Sequence, residues 1–337
     1  MPSSTDDEYE FDAYQLYSAG YTEIPKLLDP LFQTTGLASV VGESDSGKST
    51  FLRQFAISVA FKLDNFLGFR LNGRTNKVIY VSTEDGPDSI RYGLKQQVDG
   101  IMSENAKLDL KSLENIRFIF DTNELLDNLE RKLQKAPVDL IIIDAFTDVF
   151  DKELNANTQV RNFLNSYDQL AKKYNCLIVF LHHITKSGSQ KAPSKNNIIG
   201  SQGFEAKMRV VLEIKPIKGK LQEVKLMVLK ANFLKQSDKN RIRNLKMSDK
   251  LVYKKIGDYD PNSQNGSSSN SGKNEPPKLP KSKDPKIIAQ VKKLKEEGLT
   301  DREIASRFKA KGIDIGKSTV NSISQANNFQ PIPLPKE

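Results

Sequence analysis

The residues with the clearest chemistry lie at positions 42–50, where the chain has the pattern G-x-x-x-x-G-K-[ST]. Glycines let the backbone curl so that its N–H groups face inward and can bind an anion. In this pattern the lysine reaches the β- and γ-phosphates of a nucleotide, and the next hydroxyl can bind Mg²⁺. We therefore predict a phosphate loop that binds a nucleotide with Mg²⁺. Its residues are Gly42, Glu43, Ser44, Asp45, Ser46, Gly47, Lys48, Ser49 and Thr50.

The segments on either side of this loop have the pattern that a phosphate loop requires. Residues 36–41 form a short apolar run that is typical of a buried strand. Residues 51–62 carry apolar side chains at i, i+3, i+4 and i+7, which predicts a helix. A glycine-rich turn that binds nothing is the alternative. The lysine, the hydroxyl and both flanks together favour a nucleotide site.

One later strand is predicted to end in a carboxylate that completes the metal site. Residues 138–144 contain a continuous apolar run and finish at Asp144. Such a run is what a parallel strand covered on both faces requires. We expect Asp144 to hold Mg²⁺ from one side while Ser49 holds it from the other.

Hydrolysis also needs a group that orients and deprotonates water beside the γ-phosphate. Residues 77–82 read as a strand that leads directly into Glu84 and Asp85. Ligands of open α/β sheets bind beyond the carboxyl ends of the strands. Glu84 is the first candidate, because its strand is expected beside the strand of the phosphate loop, and Asp85 is the second. The alternative is that Glu84 caps the following helix.

The two histidines of the chain, His182 and His183, stand together after the apolar run of residues 176–181. We expect both to point into the crevice, where one of them contacts the γ-phosphate or the attacking water. The spacing does not distinguish them, and we favour His182. Two partly exposed histidines without a role are the alternative.

Phosphoryl transfer also gains from a cation supplied by a neighbouring subunit. Arg209 and Lys230, at the outer ends of two predicted later strands, are the candidates. An ordinary surface role is equally open for each.

The order of predicted elements is β-α-β-α-β-α-β-α-β followed by antiparallel strands, which indicates an α/β fold around a mostly parallel sheet. No run approaches 18 consecutive apolar residues, so no membrane span is expected. The single cysteine, Cys176, excludes an internal disulfide and is typical of a reducing cytoplasm. The polar, acidic residues 1–10 do not resemble an export signal.

Composition divides the chain into an N-terminal arm (1–30), an α/β domain (31–260), a linker (261–284), a helical module (285–326) and a tail (327–337). The arm is expected to pack either on its own core or on a neighbouring subunit, and its first ten residues are expected to be disordered. The linker is also predicted to be disordered, because its Asn, Ser, Gly, Lys and Pro residues cannot bury enough apolar surface.

The helical module is predicted to contain three helices. The second begins at a capping box formed by Thr300 and Glu303, and Ser318 is expected to cap the third, at residues 319–326. The net charge of +9 comes from residues 235–337, since the preceding residues are close to neutral. A basic appendage on a neutral core indicates a polyanionic partner, most simply nucleic acid. A tail that only aids solubility is the alternative.

Five motifs occur in a characteristic order: residues 42–50, 80–85, 140–144, 181–183 and 200–209. Together they resemble the RecA-like ATPases of the RepA type, hexameric plasmid replicative helicases related to the DnaB core. The resemblance covers roughly residues 30–232. It implies a RecA-like P-loop NTPase fold, a hexameric ring, ATP bound between subunits and single-stranded DNA in a central channel.

The resemblance also implies roles for individual residues. Glu84 corresponds to the catalytic carboxylate, Asp144 to the second acid at the metal, His182 to the sensor and Arg209 to the arginine finger that acts on the next subunit. The basic loop from Lys186 to Lys195 corresponds to a DNA-contacting loop.

The C-terminal module resembles a helix-turn-helix of the resolvase or homeodomain type, in residues 298–305 and 316–320. This implies a recognition helix at residues 319–326 that enters the major groove of duplex DNA. A bundle that docks on a protein is the alternative.

The predicted function is an ATP-hydrolysing motor on DNA, a ring-forming helicase in the replication of a plasmid, phage or other mobile element. The alternatives are a regulatory or assembly ATPase recruited to DNA by its tail, and a recombination mediator that forms filaments.

Overall fold

The strands and helices below come from a computed structural model that describes residues 10–20, 23–185, 188, 192–260, 285–310, 313, 315–327 and 329. The chain divides into two compact units, with the boundary between residues 265 and 266. The linker expected at residues 261–284 and most of residues 1–10 and 327–337 lie outside the described residues.

The strands belong to two sheets in the first unit. In chain order they are β1 (Lys26–Asp29), β2 (Phe32–Gln33), β3 (Gly36–Gly42), β4 (Asn65–Phe66), β5 (Phe69–Leu71), β6 (Val78–Ser82), β7 (Ile116–Ile119), β8 (Leu140–Asp144), β9 (Leu177–His183), β10 (Val210–Pro216), β11 (Glu223–Ala231), β12 (Ile242–Met247) and β13 (Tyr253–Tyr259).

The α-helices surround these sheets or form the second unit. In chain order they are α1 (Ala13–Ser18), α2 (Lys48–Ala60), α3 (Pro87–Glu104), α4 (Leu125–Lys135), α5 (Phe146–Val149), α6 (Asn157–Lys173), α7 (Ser201–Lys207), α8 (Gln236–Asn240), α9 (Pro285–Glu296), α10 (Asp301–Ala310) and α11 (Lys317–Ala326). Among the helices of the described residues, none is long and apolar enough to span a membrane.

The larger sheet has nine strands in the order β13-β12-β11-β10-β3-β9-β8-β6-β7. The six strands from β10 to β7 are parallel, and β11, β12 and β13 form an antiparallel meander at one edge. The predicted α/β class with late antiparallel strands is therefore confirmed. The last two strands of the meander, β12 and β13, were not among the predicted elements.

The predicted neighbourhood of the Glu84 strand is wrong. β6 pairs with β8 and β7, so β8 and β9 lie between β6 and the phosphate-loop strand β3. Strands that follow each other through a helical crossover need not be neighbours, because later strands can enter between them. Here two later strands do so.

Two hydrophobic layers cover the parallel strands, and alternate residues of each strand belong to opposite layers because side chains alternate along a strand. Tyr80, Ile142 and Leu181 belong to the layer that contains α2. Ile79, Ile143 and Phe180 belong to the layer that contains α4 and α6. This double burial is the reason for the continuous apolar runs in the sequence.

Helix α2 is buried along nearly its whole length. The large sheet covers one side, and the four-stranded sheet β2-β1-β5-β4 contributes Leu28, Phe32 and Phe66 to the same core. Residues 26–30 of the expected N-terminal arm therefore pack on their own core, together with the next residues of the hairpin. The boundary expected at residue 30 falls inside the β1–β2 hairpin.

The first part of the arm behaves differently. Helix α1 has no buried residue, and Tyr14 and Tyr17 are 78% and 88% exposed. The arm thus contains one segment that belongs to the core and one that does not.

The second unit contains the three helices α9, α10 and α11 around a small core of Val291, Ile304, Phe308, Val320 and Ile323. Helix α10 begins next to the predicted capping box, in which the backbone N–H of Thr300 donates to Glu303 Oε2 at 2.8 Å.

The predicted cap of the third helix is wrong. α11 already begins at Lys317, and the extended Gly316 is its N-cap residue. Ser318 therefore lies inside the first turn, because an N-cap residue must have a non-helical backbone.

A buried polar network joins three distant segments of the first unit. Arg53 on α2 donates from Nε to Gln97 Oε1 at 2.8 Å. Gln97 on α3 donates from Nε2 to the carbonyl oxygens of Thr50, at 2.8 Å, and Leu251, at 2.9 Å. The network therefore links the first turn of α2 to α3 and to the segment before β13.

Replacing Gln97 by Leu is expected to lower the free energy of unfolding by about 2–3 kcal/mol, because two carbonyls and the Arg53 guanidinium lose a buried partner. Urea-induced unfolding of the full chain measures this change. The matched control is Gln96→Leu at the adjacent, half-buried position, for which a change within about 0.5 kcal/mol is expected. Equal effects of the two substitutions would contradict the network's contribution.

Candidate functional site

The phosphate loop has a backbone that only glycine permits at two positions. Gly47 has φ of +83°, and a Cβ atom there would overlap the Tyr253 hydroxyl. A Cβ atom at Gly42 would lie 2.5 Å from the Ile214 carbonyl oxygen. Gly47 is also the N-cap residue of α2. The free N–H groups of the first turn of that helix therefore belong to the loop and favour an anion there.

Lys48 supplies the positive charge of the loop. It is 5% exposed, and its Nζ donates to the Glu43 carbonyl oxygen at 2.6 Å. Burial lowers the pKa of Lys48, and the carboxylates of Asp144 and Glu84 act in the opposite direction. The ammonium group is thus held within the loop, with acidic groups on its open side.

A cavity of about 700 Å³ lies at the carboxyl ends of the parallel strands, directly above this loop. Its walls combine the phosphate loop with acidic side chains, a histidine and several apolar residues. Beyond the loop itself, the lining residues are Glu84, Asp85, Leu181, His183, Ile184, Ile199 and Met247.

Asp144 ends β8 on the same side of the sheet as α2. Its Oδ2 accepts a hydrogen bond from the Tyr80 hydroxyl at 2.6 Å. Its Oδ1 is buried and has no hydrogen-bond partner among the described residues. Burial raises the pKa of Asp144, whereas the hydroxyls of Tyr80 and Ser49 lower it.

These residues fit a magnesium ion. Within the described residues no cluster of three or more acidic, histidine or cysteine side chains could hold a metal. Mg²⁺ is usually bound by one or two protein groups together with phosphates and water. The unpartnered Oδ1 of Asp144 and the hydroxyl of Ser49 are suitable groups, and the phosphate loop lies beside them.

Glu84 reaches the cavity although its strand lies three places from β3 in the sheet. The carboxyl ends of all parallel strands meet at one edge, so the cavity spans several strands. Glu84 is half exposed, and its Oε1 lies 3.3 Å from His183 Nε2. It does not cap the next helix, because Gly86 is the N-cap of α3 and makes no side-chain cap. Asp85 also lines the cavity.

The preference for His182 over His183 does not agree with the geometry. The two side chains point to opposite faces of β9, because side chains alternate along a strand. His183 pairs in register with Gly42 and lines the cavity. His182 is fully buried in the other layer, against the rings of Phe146 and Phe204. The expectation that both histidines enter one crevice is therefore wrong.

His182 is neutral in this position. Its Nε2 lies 2.9 Å from the Ile199 carbonyl oxygen, and since a carbonyl only accepts, Nε2 carries the proton. The Nδ1 atom is buried without a hydrogen-bond partner among the described residues. Burial lowers the pKa of His182 to about 4.

Arg209 lies away from the phosphate loop of its own chain. Its backbone N–H donates to the Leu37 carbonyl at 2.8 Å, and its side chain lies beside Gly36, the first residue of β3. The phosphate loop follows the last residue of β3, roughly 20 Å further along the strand. Arg209 is therefore too far from the phosphate loop of its own chain to contact a nucleotide bound there.

Lys230 occupies the same edge, because it pairs in register with Val211. Its Nζ lies 3.1 Å from Glu205 Oε1 and donates to the Glu205 carbonyl at 2.7 Å. Glu205 also forms an ion pair with Lys195, at 3.4 Å. Lys186 and several of its neighbours in the expected DNA-contacting loop lie outside the described residues.

Three side chains at the site belong to no motif that could be recognised in the sequence. Tyr80 sits inside a predicted strand, but its contact with Asp144 depends on the pairing of β6 with β8. Met247 and Tyr253 come from the meander edge, where no site was expected. The side-chain amide of Gln54 on α2 exchanges two hydrogen bonds with the backbone of Tyr253, at 2.7 and 3.0 Å.

A mostly parallel sheet with a phosphate loop after β3 and a buried acid at the end of β8 defines a RecA-like P-loop ATPase. A family model described as "AAA domain" matches residues 6–189, more than half of the chain, and the chain belongs to this family. The expected RecA-like ATPase core is thus confirmed. The RepA type of helicase and the helix-turn-helix stay predictions.

Three curated relatives are proteins described as "DNA repair protein RadA". The protein of Synechocystis sp. is 26% identical over 186 residues, which is 52% of this chain and 34% of that protein. The protein of Brucella abortus is 27% identical over 54% of this chain and 35% of its own length. The protein of Rickettsia felis is 26% identical over 56% of this chain and 40% of its own length. The chain thus spans little more than a third of these relatives.

The ring of His182 is expected to stay neutral on acidification until the pH approaches 4, because protonation would place a charge among apolar side chains. NMR titration of histidine ring protons, assigned with a His183→Gln variant, measures this directly. The unfolded chain takes up the proton near pH 6.5, so His182 lowers stability as the pH falls from about 6.5 to 4. A His182 midpoint above pH 6 would contradict its burial.

Proposed function

We propose that this protein is an ATP-hydrolysing motor that acts on DNA, a ring-forming helicase in the replication of a plasmid, phage or other mobile element. The observation that carries the proposal is that three charged groups meet at the carboxyl ends of the parallel strands. Lys48 and Glu84 line one cavity there, and the carboxylates of Asp144 and Glu84 both act to raise the pKa of Lys48. Relatives described as DNA repair proteins support nucleic acid as the partner.

In the proposed reaction, Lys48 and the N–H groups of the loop bind the phosphates of ATP. Ser49 and Asp144 would hold Mg²⁺, which when bound would supply positive charge that stabilises the phosphates. Glu84 orients the attacking water and accepts its proton. His183 replaces His182 as the proposed sensor, because it contacts both Glu84 and the cavity.

A neighbouring subunit is proposed to complete the site. The cavity is open to solvent, while Arg209 and Lys230 lie at the opposite ends of the strands from the phosphate loop. A head-to-tail arrangement would bring these cations to the γ-phosphate of the next chain and generates a closed ring if the rotation closes. We propose a hexamer, the ring size that the resemblance to RepA-type helicases implies.

Single-stranded DNA is the proposed partner of the loop from Lys186 to Lys195. Lys195, the described end of this loop, is tied through Glu205 to Lys230. Lys195 of the proposed DNA contact and Lys230, the second candidate for a cation that acts on the next subunit, therefore share the carboxylate of Glu205. Binding of a phosphate backbone by the loop would change the partner of Lys195 and thereby the charge around Lys230.

Glu84→Gln is expected to lower the rate of ATP hydrolysis by at least about 100-fold, because general-base catalysis contributes about 10²–10⁴-fold. Affinity for ATP should remain within about threefold of the original. Steady-state turnover and titration with a fluorescent ATP analogue measure the two effects. Lys48→Ala is expected to lose both ATP hydrolysis and ATP affinity, because it removes the positive charge that binds the phosphates.

The matched control is Asp85→Asn, which neutralises the other acidic residue beside Glu84. It is expected to keep most of the turnover. If Asp85→Asn stops hydrolysis while Glu84→Gln does not, the base is Asp85 and the assignment above is incorrect.

A second candidate function is a regulatory or assembly ATPase recruited to specific DNA. The observation that favours it is the exposed face of α11, which is polar except for Ala326 at its end. Its polar residues are Lys317, Ser318, Asn321, Ser322 and Gln325. Asn and Gln side chains can bind the major-groove edge of adenine with two hydrogen bonds. The proposed duplex contact of the C-terminal module uses this face.

Removal of residues 261–337 distinguishes the two functions. For a helicase we expect the truncated protein to keep DNA-stimulated ATP hydrolysis and unwinding of a forked duplex. For a recruited regulator, the full chain unwinds no fork, and the truncation abolishes site-specific binding.

In either case, the double substitution Asn321→Ala with Gln325→Ala should weaken duplex binding by tenfold or more. The reason is that each side-chain contact with a base contributes about 1–3 kcal/mol. Gln290→Ala on the exposed side of α9 is the control. Unchanged duplex affinity would favour the protein-docking alternative for this module.

A further inference from the structure

Tyr80 and Asp144 are diagonal neighbours on adjacent parallel strands. Tyr80 of β6 pairs in register with Ile142 of β8, two residues before Asp144. The three side chains share the face that packs on α2, because side chains alternate along a strand. An aromatic side chain is long enough to reach such a diagonal position. The pairing of the strands thus brings the Tyr80 hydroxyl to the carboxylate.

The contact is short and enclosed. The Tyr80 hydroxyl donates to Asp144 Oδ2 at 2.6 Å, and the two residues are 0% and 5% exposed. The Tyr80 ring packs on Phe118 of β7, with ring centroids 5.3 Å apart. Burial and this packing fix the ring, and therefore the direction from which the hydroxyl approaches the carboxylate.

The hydrogen bond makes the two oxygens of Asp144 different from each other. Oδ2 is occupied by Tyr80, whereas Oδ1 is buried and has no hydrogen-bond partner among the described residues. A carboxylate on a terminal bond rotates over a broad range unless a neighbour holds it. With Oδ2 held by Tyr80, Oδ1 is the oxygen that stays available to a metal ion.

We propose that Tyr80 is a positioning residue for the metal-binding carboxylate: its hydroxyl holds Asp144 in the orientation in which Oδ1 binds Mg²⁺. This inference rests on the proposed function of the site and adds a residue to it. Groups that orient a metal ligand typically contribute 10- to 100-fold to metal affinity. Tyr80 itself does not line the cavity above the phosphate loop, so its hydroxyl is assigned an action through Asp144 alone.

A purely structural role of the hydroxyl makes a different prediction. In that case its removal would lower the stability of the fold or weaken nucleotide binding at every Mg²⁺ concentration. A positioning role changes only the part of the binding that depends on Mg²⁺. The two roles are therefore separated by titrating the metal.

The experiment uses the full chain with Tyr80→Phe and a fluorescent ATP analogue. The Mg²⁺ concentration that gives half of the maximal metal-dependent gain in affinity is expected to rise about tenfold. Affinity for the analogue in EDTA should be unchanged. The matched control is Tyr167→Phe, which removes a hydroxyl from another buried tyrosine, in the opposite hydrophobic layer. It should leave the Mg²⁺ dependence unchanged.

A second variant, Phe118→Leu, keeps the hydroxyl and loosens the ring that carries it. It should raise the Mg²⁺ requirement in the same direction by a smaller factor, which keeps the proposal testable if Tyr80→Phe folds poorly. A normal Mg²⁺ requirement in either folded variant overturns the proposal, as does an equal loss of binding with and without Mg²⁺. If the unsubstituted protein gains no affinity from Mg²⁺, the proposed function itself fails.

Discussion

Helical layers on both faces of a parallel sheet are the constraint on which the site depends. Under double burial, the position of a residue along a strand determines which layer its side chain enters. Tyr80, Asp144 and His183 all fall on the side of α2, the helix that follows the phosphate loop. His182 falls on the other side and is sealed among aromatic rings. A shift of one residue in the pairing of a strand would exchange these roles, so the register of the strands is as important to the chemistry as the residues themselves.

Features with a local cause could be predicted from the sequence. The phosphate loop is such a feature, because its glycines, lysine and hydroxyl are consecutive, and Gly47 adopts the left-handed backbone that the motif requires. The buried strands are another, since a continuous apolar run that ends at Asp144 is typical of a parallel strand covered on both faces. The class of the fold follows from the order of such segments.

Features that depend on pairing between distant segments could not be predicted. The position of β6 beyond β8 is one example, because local sequence does not record which later strand enters between two earlier ones. The choice between His182 and His183 is another, since it depends on which face of β9 each side chain enters. The contacts of Tyr80 and Tyr253 each depend on a partner from a different strand or helix. In each case the feature depends on contacts between segments that are distant in the sequence.

The Gln54–Tyr253 pair has a consequence for the order in which parts of the protein fold during synthesis. Helix α2 follows the phosphate loop, yet one of its buried amides finds its partner only on the last strand of the sheet, about 200 residues later in the chain. A contact between residues so far apart in the chain requires closure of a long loop, which costs conformational entropy. During synthesis, the phosphate loop leaves the ribosome long before the strand that supports it. Full support of the phosphate loop is thus gained only when the whole domain has been made.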